Sequence, residues 1–269
     1  MTNVRKNILL TNDDGIRSSG VIELYKELSR FADVTVITPH VQRSGEGKAI
    51  TINSIVRVEK VDVNGLFSGY TINGSSADAI IFSVNTLEER PFDLVVSGIN
   101  QGLNISSHIV LTSGTCAAAF EAAYSGIPAI AFSLNVSQKH YFVSPDSSTF
   151  EQAAKVSARI VKELLERDFP ENLAFLNVNY PENVVYNTPL VHTFLADRFI
   201  DFTPKVQKDP RNMDYYFFWG GLTKNIPPGS DLDIIMQEKV SLSAVRKNLT
   251  LDNDTTSVEF TKELVEKLV

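Results

Sequence analysis

Short apolar runs alternate with amphipathic segments along the first part of the chain, and this alternation limits the possible folds more than any other feature. Residues 7–11, 34–37 and 93–96 have the length and the Val, Ile and Leu content of buried strands. Residues 20–31 and 113–125 place apolar side chains with helical spacing. Strands that alternate with helices predict βαβ units, so we expect a Rossmann-like, doubly wound α/β fold with a mostly parallel sheet.

The same patterns predict further elements of this α/β region. Strands are expected at residues 128–133 and 173–178, and helices at residues 75–87 and 150–167. Ser75 or Ser76 is the expected cap of the helix at 75–87. A stretch at residues 50–63 alternates apolar and polar side chains, which indicates β structure.

The character of the sequence changes after Pro181. Aromatic and β-branched residues predict a β-hairpin that extends from the core, suited to a lid or a subunit contact. A short helix and a C-terminal amphipathic helix are expected after it. The expected hairpin strands are residues 191–202 and 215–219, with a turn at 209–212. The expected helices are residues 230–237 and 256–268. We therefore divide the chain into a catalytic core, 1–181, and a hairpin and C-terminal oligomerisation region, 182–269.

Composition excludes several classes of partner and site. The net charge is −7 and no run of five basic residues occurs, which argues against a nucleic-acid groove. No apolar stretch is long enough to span a bilayer, and residues 1–6 are not followed by a secretory signal, so we expect a cytoplasmic protein. Cys116 is the only cysteine, and we expect it to be a small buried residue on an apolar helix.

Three polar turns follow predicted strands at positions where ligands bind in α/β sheets. They are residues 12–15 (Asn-Asp-Asp-Gly), the loop around Ser44, and residues 97–100 (Ser-Gly-Ile-Asn). Ligands bind beyond the carboxyl ends of parallel strands, so the three turns are expected at one crevice. The sequence therefore predicts a single polar site that is assembled from separate loops.

Asp13 and Asp14 are the strongest candidates for chemistry within these turns. Neighbouring carboxylates reach one ion only in a turn, which Gly15 permits, although a solvated turn with a capping Asp explains the pair equally well. Carboxylates with Ser and Asn oxygens form a hard site suited to Mg²⁺ or Mn²⁺. The four histidines lack metal-binding spacing and are expected at the surface or in packing: His40, His108, His140 and His192.

Other segments are suited to binding a phosphate group. Residues 44–47 can form an anion nest, residues 100–104 carry two Asn amides, and residues 113–115 open a helix whose N–H groups favour anions. A flexible loop, ordinary turn residues and a simple helix cap are the plainer explanations. Together with a metal, however, these parts suit hydrolysis of a phosphate ester, with an Asp that orients or deprotonates the attacking water.

Five segments in order along the chain form a recognisable set, namely residues 8–16, 42–45, 97–104, 113–115 and 126–131. Each segment is weakly diagnostic, but the ordered set is specific and covers roughly half of the chain. Together the five segments resemble the SurE (survival protein E) family of 5′-nucleotidases.

The resemblance implies a Rossmann-like core with one divalent metal ion per subunit, Mg²⁺ or Mn²⁺. It also implies hydrolysis of nucleoside 5′- or 3′-monophosphates, sometimes with short polyphosphate as substrate. Homodimers or homotetramers that exchange the hairpin and C-terminal segment are implied as well. By motif position the metal ligands fall on Asp13, Asp14, Ser44 and Asn100, and the catalytic residues on Asp13, Asp14 and Asn104. The phosphate contacts fall on Ser44, Gly45, Asn104, Ser113, Gly114 and Thr115.

The same motifs bear on three alternative classes of protein. A haloacid-dehalogenase-like phosphatase needs a second Asp two positions after the nucleophile, and residues 12–15 lack that spacing. A receiver domain needs an acid at the end of a strand, whereas Asp93 precedes its strand. A nucleotide-sensing protein that binds without turnover stays open as the alternative, although retention of every expected metal ligand counts against it.

Overall fold

The computed structural model describes residues 5–87, 90–137, 146–250 and 255–268. These residues form eleven strands and seven α-helices. The strands are β1 (Lys6–Thr11), β2 (Ala32–Pro39), β3 (Val58–Val63), β4 (Phe67–Ile72), β5 (Leu94–Gln101), β6 (Ala129–Leu134), β7 (Leu173–Tyr180), β8 (Leu190–Thr193), β9 (Ile200–Lys208), β10 (Asp214–Leu222) and β11 (Val240–Arg246). The helices are α1 (Ser19–Leu28), α2 (Ser76–Phe82), α3 (Ser106–Thr112), α4 (Gly114–Tyr124), α5 (Glu151–Leu165), α6 (Asp231–Met236) and α7 (Thr255–Leu268).

Nine of the described strands form one mixed, mostly parallel sheet, as the sequence predicts. Their order is β3-β4-β2-β1-β5-β6-β7-β11-β8. The six neighbouring strands β4-β2-β1-β5-β6-β7 are all parallel to one another. Renumbered one to six along the chain, they lie in the sheet in the order 3-2-1-4-5-6. The strand order reverses between β1 and β5, and ligand sites form beyond the carboxyl ends of strands at such a reversal.

Helices cover both faces of the sheet, which makes the fold doubly wound. On one face α1 and α5 pack over Ile8 and Leu10 of β1, and on the other face α2 and α4 pack over Leu9. These three side chains are fully buried. Burial of one such side chain stabilises the fold by about 1.5–3 kcal/mol relative to exposure. The hydrophobic pattern of β1 therefore fixes the strand in the centre of the sheet, and its polar continuation lies at the carboxyl edge.

The region after residue 181 adds both to the main sheet and to a separate hairpin. β11 pairs antiparallel with β7, and β8 pairs parallel with β11. β9 and β10 form an antiparallel two-stranded sheet of their own, joined by the predicted turn at residues 209–212. The predicted hairpin segment 191–202 is wrong in its bounds, because its first residues lie in β8 of the main sheet and the hairpin strand begins at Ile200. The boundary at residue 181 and the exchange of the C-terminal segment stay predictions. Among the described residues, no helix is both long enough and apolar enough to cross a membrane.

Several predicted elements differ from the structure for local physical reasons. Residues 50–57 are not a strand, and Ile52 and Ile55 are exposed, so their alternation does not reflect a half-buried sheet. Residues 97–100, predicted as a turn, continue β5. The predicted helix at 75–87 begins at its Ser75 cap, but it is α-helical only to Phe82 and continues as a π-helical turn.

Candidate active site

The turn after β1 presents the two aspartates at the strand-order reversal. The Asn12 side-chain oxygen accepts from the Gly15 N–H at 3.0 Å, and its amide donates to the Ser18 hydroxyl at 2.7 Å. Gly15 has a φ of +100°, a conformation that L side chains rarely adopt. Ser18 in turn caps α1. Asn12 and Gly15 therefore fold the chain back so that Asp13 and Asp14 both stay at the edge of the sheet.

Asp13 is buried and is held by the start of α4. Its carboxylate accepts a short hydrogen bond from the Thr115 hydroxyl, and it also accepts the Gly114 N–H. A Cβ atom at Gly114 would lie 2.7 Å from the Asp13 Cβ, so only glycine allows this approach. Burial raises the pKa of Asp13, against the hydrogen bonds of Thr115 and Gly114, which lower it.

Asp14 is half-buried and faces two glutamine residues. One carboxylate oxygen accepts the Gln42 side-chain amide at 3.2 Å, and the other accepts the Gln101 backbone N–H at 3.2 Å. Burial, and then the neighbouring charge of Asp13, raise the pKa of Asp14 to about 7. The two carboxylates therefore repel each other, and the described donors to Asp14, from Gln42 and Gln101, are both neutral.

The loop after β2 brings Ser44 and Gly45 to the aspartates. The Arg43 N–H donates to the Asp13 carbonyl at 2.8 Å, and the Gly47 N–H donates to the Thr112 carbonyl at 2.9 Å. Both Gly45 and Gly47 have positive φ angles, +80° and +58°. The loop is thus tied to the site at its two ends, while Ser44 between them is exposed.

Asn100 reaches the site through an irregularity in β5. The register with β6 shifts between Ser97 and Asn100, and Gly98 there has a φ of +131°. The Asn100 amide nitrogen donates to the Gly102 carbonyl at 2.8 Å. This bond leaves the Asn100 carbonyl oxygen as the end of the side chain that can bind a cation.

Asn104 is fixed by a buried polar network that sequence reasoning missed. The side chains of Asn177 and Asn179 on β7 both donate to the Asn104 carbonyl, at 2.8 and 3.2 Å, and Asn179 also accepts the Asn104 N–H at 2.8 Å. The Asn104 amide donates to the Ser133 hydroxyl at 2.8 Å. Two asparagines inside the apolar run of β7 were the available signal, because buried polar side chains require partners.

The predicted phosphate residues at the start of α4 divide into two groups. Ser113 caps the helix by accepting the Cys116 N–H at 3.1 Å, and it lines a cavity beside Asp13. Thr115 is fully buried and donates to Asp13, and neither Gly114 nor Thr115 lines that cavity. Cys116 is buried, as predicted, and burial raises the pKa of its thiol to about 12.

Two cavities adjoin the aspartate pair. The smaller, about 270 Å³, brings together six predicted residues, namely Asp13, Ser44, Gly45, Asn100, Asn104 and Ser113, and it is also lined by Phe199 and Ile200. The larger, about 550 Å³, is lined by Asp14, and Gln101 lines both. Phe199 and Ile200 lie at the base of the hairpin and were not predicted as site residues.

The oxygen atoms at this edge fit a hard divalent cation. Among the described residues, neither Asp13 nor Asp14 forms an ion pair with a Lys, Arg or His side chain. The same residues contain no group of three or more His, Cys, Asp or Glu side chains that could hold a metal. A cation bound between the aspartates would relieve their repulsion, and Ser44 and Asn100 would supply neutral oxygens.

One histidine of the described part of the chain, His40, lines the larger cavity together with Asp14. His192 is exposed on β8, and His40 is exposed with its ring nitrogen 3.3 Å from the Ile72 carbonyl. His108 packs edge-on against Phe202 of the hairpin. His140 lies outside the described residues.

The sequence and the fold of this chain both match those of a known protein family. The model of the family described as Survival protein SurE matches residues 8–198. Two relatives are named 5′-nucleotidase SurE. The one from Methanocella arvoryzae is 34% identical and aligns over 94% of this chain and 96% of its own. The one from Thermococcus gammatolerans is 38% identical over 90% and 91%. A crystal structure of the SurE protein from Aquifex aeolicus superposes with a TM-score of 0.78 at 30% identity, covering 95% of this chain and 99% of that one.

Proposed function

Because the chain belongs to the SurE family, we propose that it is a 5′-nucleotidase that hydrolyses nucleoside 5′-monophosphates to nucleoside and phosphate with the help of a divalent metal. The observation that carries this proposal is the convergence of Asp13, Ser44, Asn100, Asn104 and Ser113 on one cavity. Nucleoside 3′-monophosphates and short polyphosphate are further proposed substrates.

The residues of the site have distinct proposed roles. Asp13, Asp14, Ser44 and Asn100 would hold one Mg²⁺ or Mn²⁺ ion, which when bound polarises the phosphoryl oxygen and acidifies a water. One of the two side-chain N–H groups of Asn104 donates to the Ser133 hydroxyl. The other would donate to a phosphate oxygen.

The remaining phosphate contacts and the proton transfer complete the proposed reaction. The loop at Ser44 and Gly45 and the Ser113 hydroxyl at the start of α4 would surround the phosphate with hydroxyl and N–H donors. Gly114 and Thr115, which the sequence also suggested as phosphate contacts, donate to Asp13 and would act on the phosphate through that carboxylate. In hydrolysis the water oxygen bonds to phosphorus and the bond from phosphorus to the nucleoside oxygen breaks. A carboxylate oxygen of the aspartate pair would take a proton from the attacking water, and the leaving nucleoside oxygen would take a proton from a solvent water molecule.

Phosphate release from a panel of substrates tests the proposal directly. We expect nucleoside 5′-monophosphates to release phosphate with Mg²⁺ or Mn²⁺ and to release none after chelation. The panel should include nucleoside 3′-monophosphates and short polyphosphate, with every substrate supplied at the same concentration of phosphoryl groups. Metal-loaded protein that binds nucleotide without releasing phosphate would contradict the enzyme and support the alternative, a nucleotide-sensing protein.

The hairpin supports the proposed homodimer or homotetramer. Tyr216, Phe217 and Phe218 on β10 are 62%, 58% and 78% exposed, and an isolated two-stranded hairpin is marginally stable in water. Large exposed apolar patches mark interfaces, and a second copy of this chain would cover the apolar patch on β10.

We expect the protein to have two or four times its 29.8 kDa chain mass by light scattering. We expect F218S to reduce that mass at equal concentration, and a monomeric parent protein would contradict the proposal.

A further inference from the structure

Ser44 and Asp14 must act together in the proposed metal site although they belong to different loops. Asp14 follows β1, whereas Ser44 is exposed in the loop after β2. The orientation of the Ser44 hydroxyl therefore depends on hydrogen bonding.

The side chain of Gln42 links these two proposed ligands. Its amide nitrogen lies 3.2 Å from a carboxylate oxygen of Asp14 and 3.0 Å from the Ser44 hydroxyl oxygen. Both N–H bonds of one amide are thus directed at the two ligands. Ser44 and Asp14 therefore share one amide donor.

An amide donor is suited to holding ligands without competing with the cation. A Lys ammonium would neutralise Asp14 and repel the metal ion, and a Glu carboxylate would repel Asp14. A carboxylate oxygen and a hydroxyl oxygen each have a second lone pair, so both can bind a cation while they accept from Gln42. Residues that orient metal ligands in this way typically change metal affinity about 10–100-fold when they are mutated.

We propose that Gln42 is a positioning residue that preorganises Asp14 and Ser44 for the divalent cation. This inference rests on the proposed metal-dependent function. It adds a role that is separate from ligation, because the lone pair of the Gln42 amide nitrogen is delocalised into the C=O group and does not bind a cation. Losing the amide releases the Ser44 hydroxyl and one oxygen of Asp14, and ordering them again costs binding free energy.

Metal binding to the full chain, measured by Mn²⁺ titration with electron paramagnetic resonance, tests this role without relying on turnover. Leu is close to Gln in size but cannot donate, so Q42L is expected to weaken Mn²⁺ binding about 10–100-fold while the melting temperature in chelator stays unchanged. The matched control is Q237L at the exposed end of α6, which is expected to bind Mn²⁺ like the parent protein. An affinity for Q42L within about twofold of the parent protein would overturn the proposal.

A double-mutant cycle with S44A separates positioning from general stability. If Gln42 acts partly through Ser44, Q42L is expected to cost at least about threefold less in the S44A protein than in the parent protein. Equal losses in both backgrounds would overturn the link to Ser44. A parent protein that binds neither Mn²⁺ nor Mg²⁺ would overturn the metal-dependent function as well, whereas tight parental binding with unchanged Q42L affinity overturns the role of Gln42 alone.

Discussion

Replacing Asp13 with Asn is expected to lower the rate of phosphate release about 100-fold or more. The substitution removes one negative charge from the proposed metal site. It also replaces one of the two acceptor oxygens with an NH₂ group, which is a donor. The Thr115 hydroxyl and the Gly114 N–H both donate to this side chain and need acceptors there. The amide must therefore leave a donor facing a donor or direct its only oxygen away from the cation.

The expected loss is separable from unfolding. Burial raises the pKa of Asp13, and the charge of Asp13 helps to raise that of Asp14, so the carboxylate pair opposes folding when no cation is bound. D13N is therefore expected to melt no lower than the parent protein in chelator. D168N removes the same charge from an exposed position and should keep parental activity. Near-normal turnover by D13N at saturating metal would contradict the assignment of Asp13.

The parts of the fold that were predicted correctly are those with strong local patterns. The buried strand β1 and the helix α4 are specified by apolar runs and by the Ser113 cap within their own segments. The position of Asp13 and Asp14 followed from the end of β1, because parallel strands direct their carboxyl ends to one edge. Local sequence thus predicted the core and the placement of the candidate site.

Features that depend on distant residues were not predicted. The N-cap residue of α3, Ile105, makes no side-chain capping bond, and the next residue, Ser106, has a positive φ of 71°. The Ser106 N–H is instead bound by Asp231, which lies 125 positions later in the chain. The contacts of Asn179 with Asn104 span 75 positions. Such partners leave no periodic signal near the residue that they hold.

Asp231 anchors three segments, and its loss is expected to have the largest effect on stability. One carboxylate oxygen accepts the Ser106 N–H at 2.7 Å, and the other accepts the N–H groups of Ala196 and Leu232, each at 2.9 Å. The side chain is fully buried. D231A would leave the Ser106 and Ala196 donors without partners, which is expected to cost about 3–5 kcal/mol in the free energy of unfolding.

Comparison with D231N distinguishes the hydrogen bonds from the charge. Burial raises the pKa of Asp231, against the backbone N–H bonds that lower it, so the charge itself is costly in this position. Asn keeps one acceptor oxygen and removes the charge, and D231N is therefore expected to lose less stability than D231A in urea denaturation. D233A, which removes an acid from the same helix, should lose less than either. If D231A instead unfolds within about 1 kcal/mol of the parent protein, water must satisfy the freed N–H groups and Asp231 does not anchor these segments.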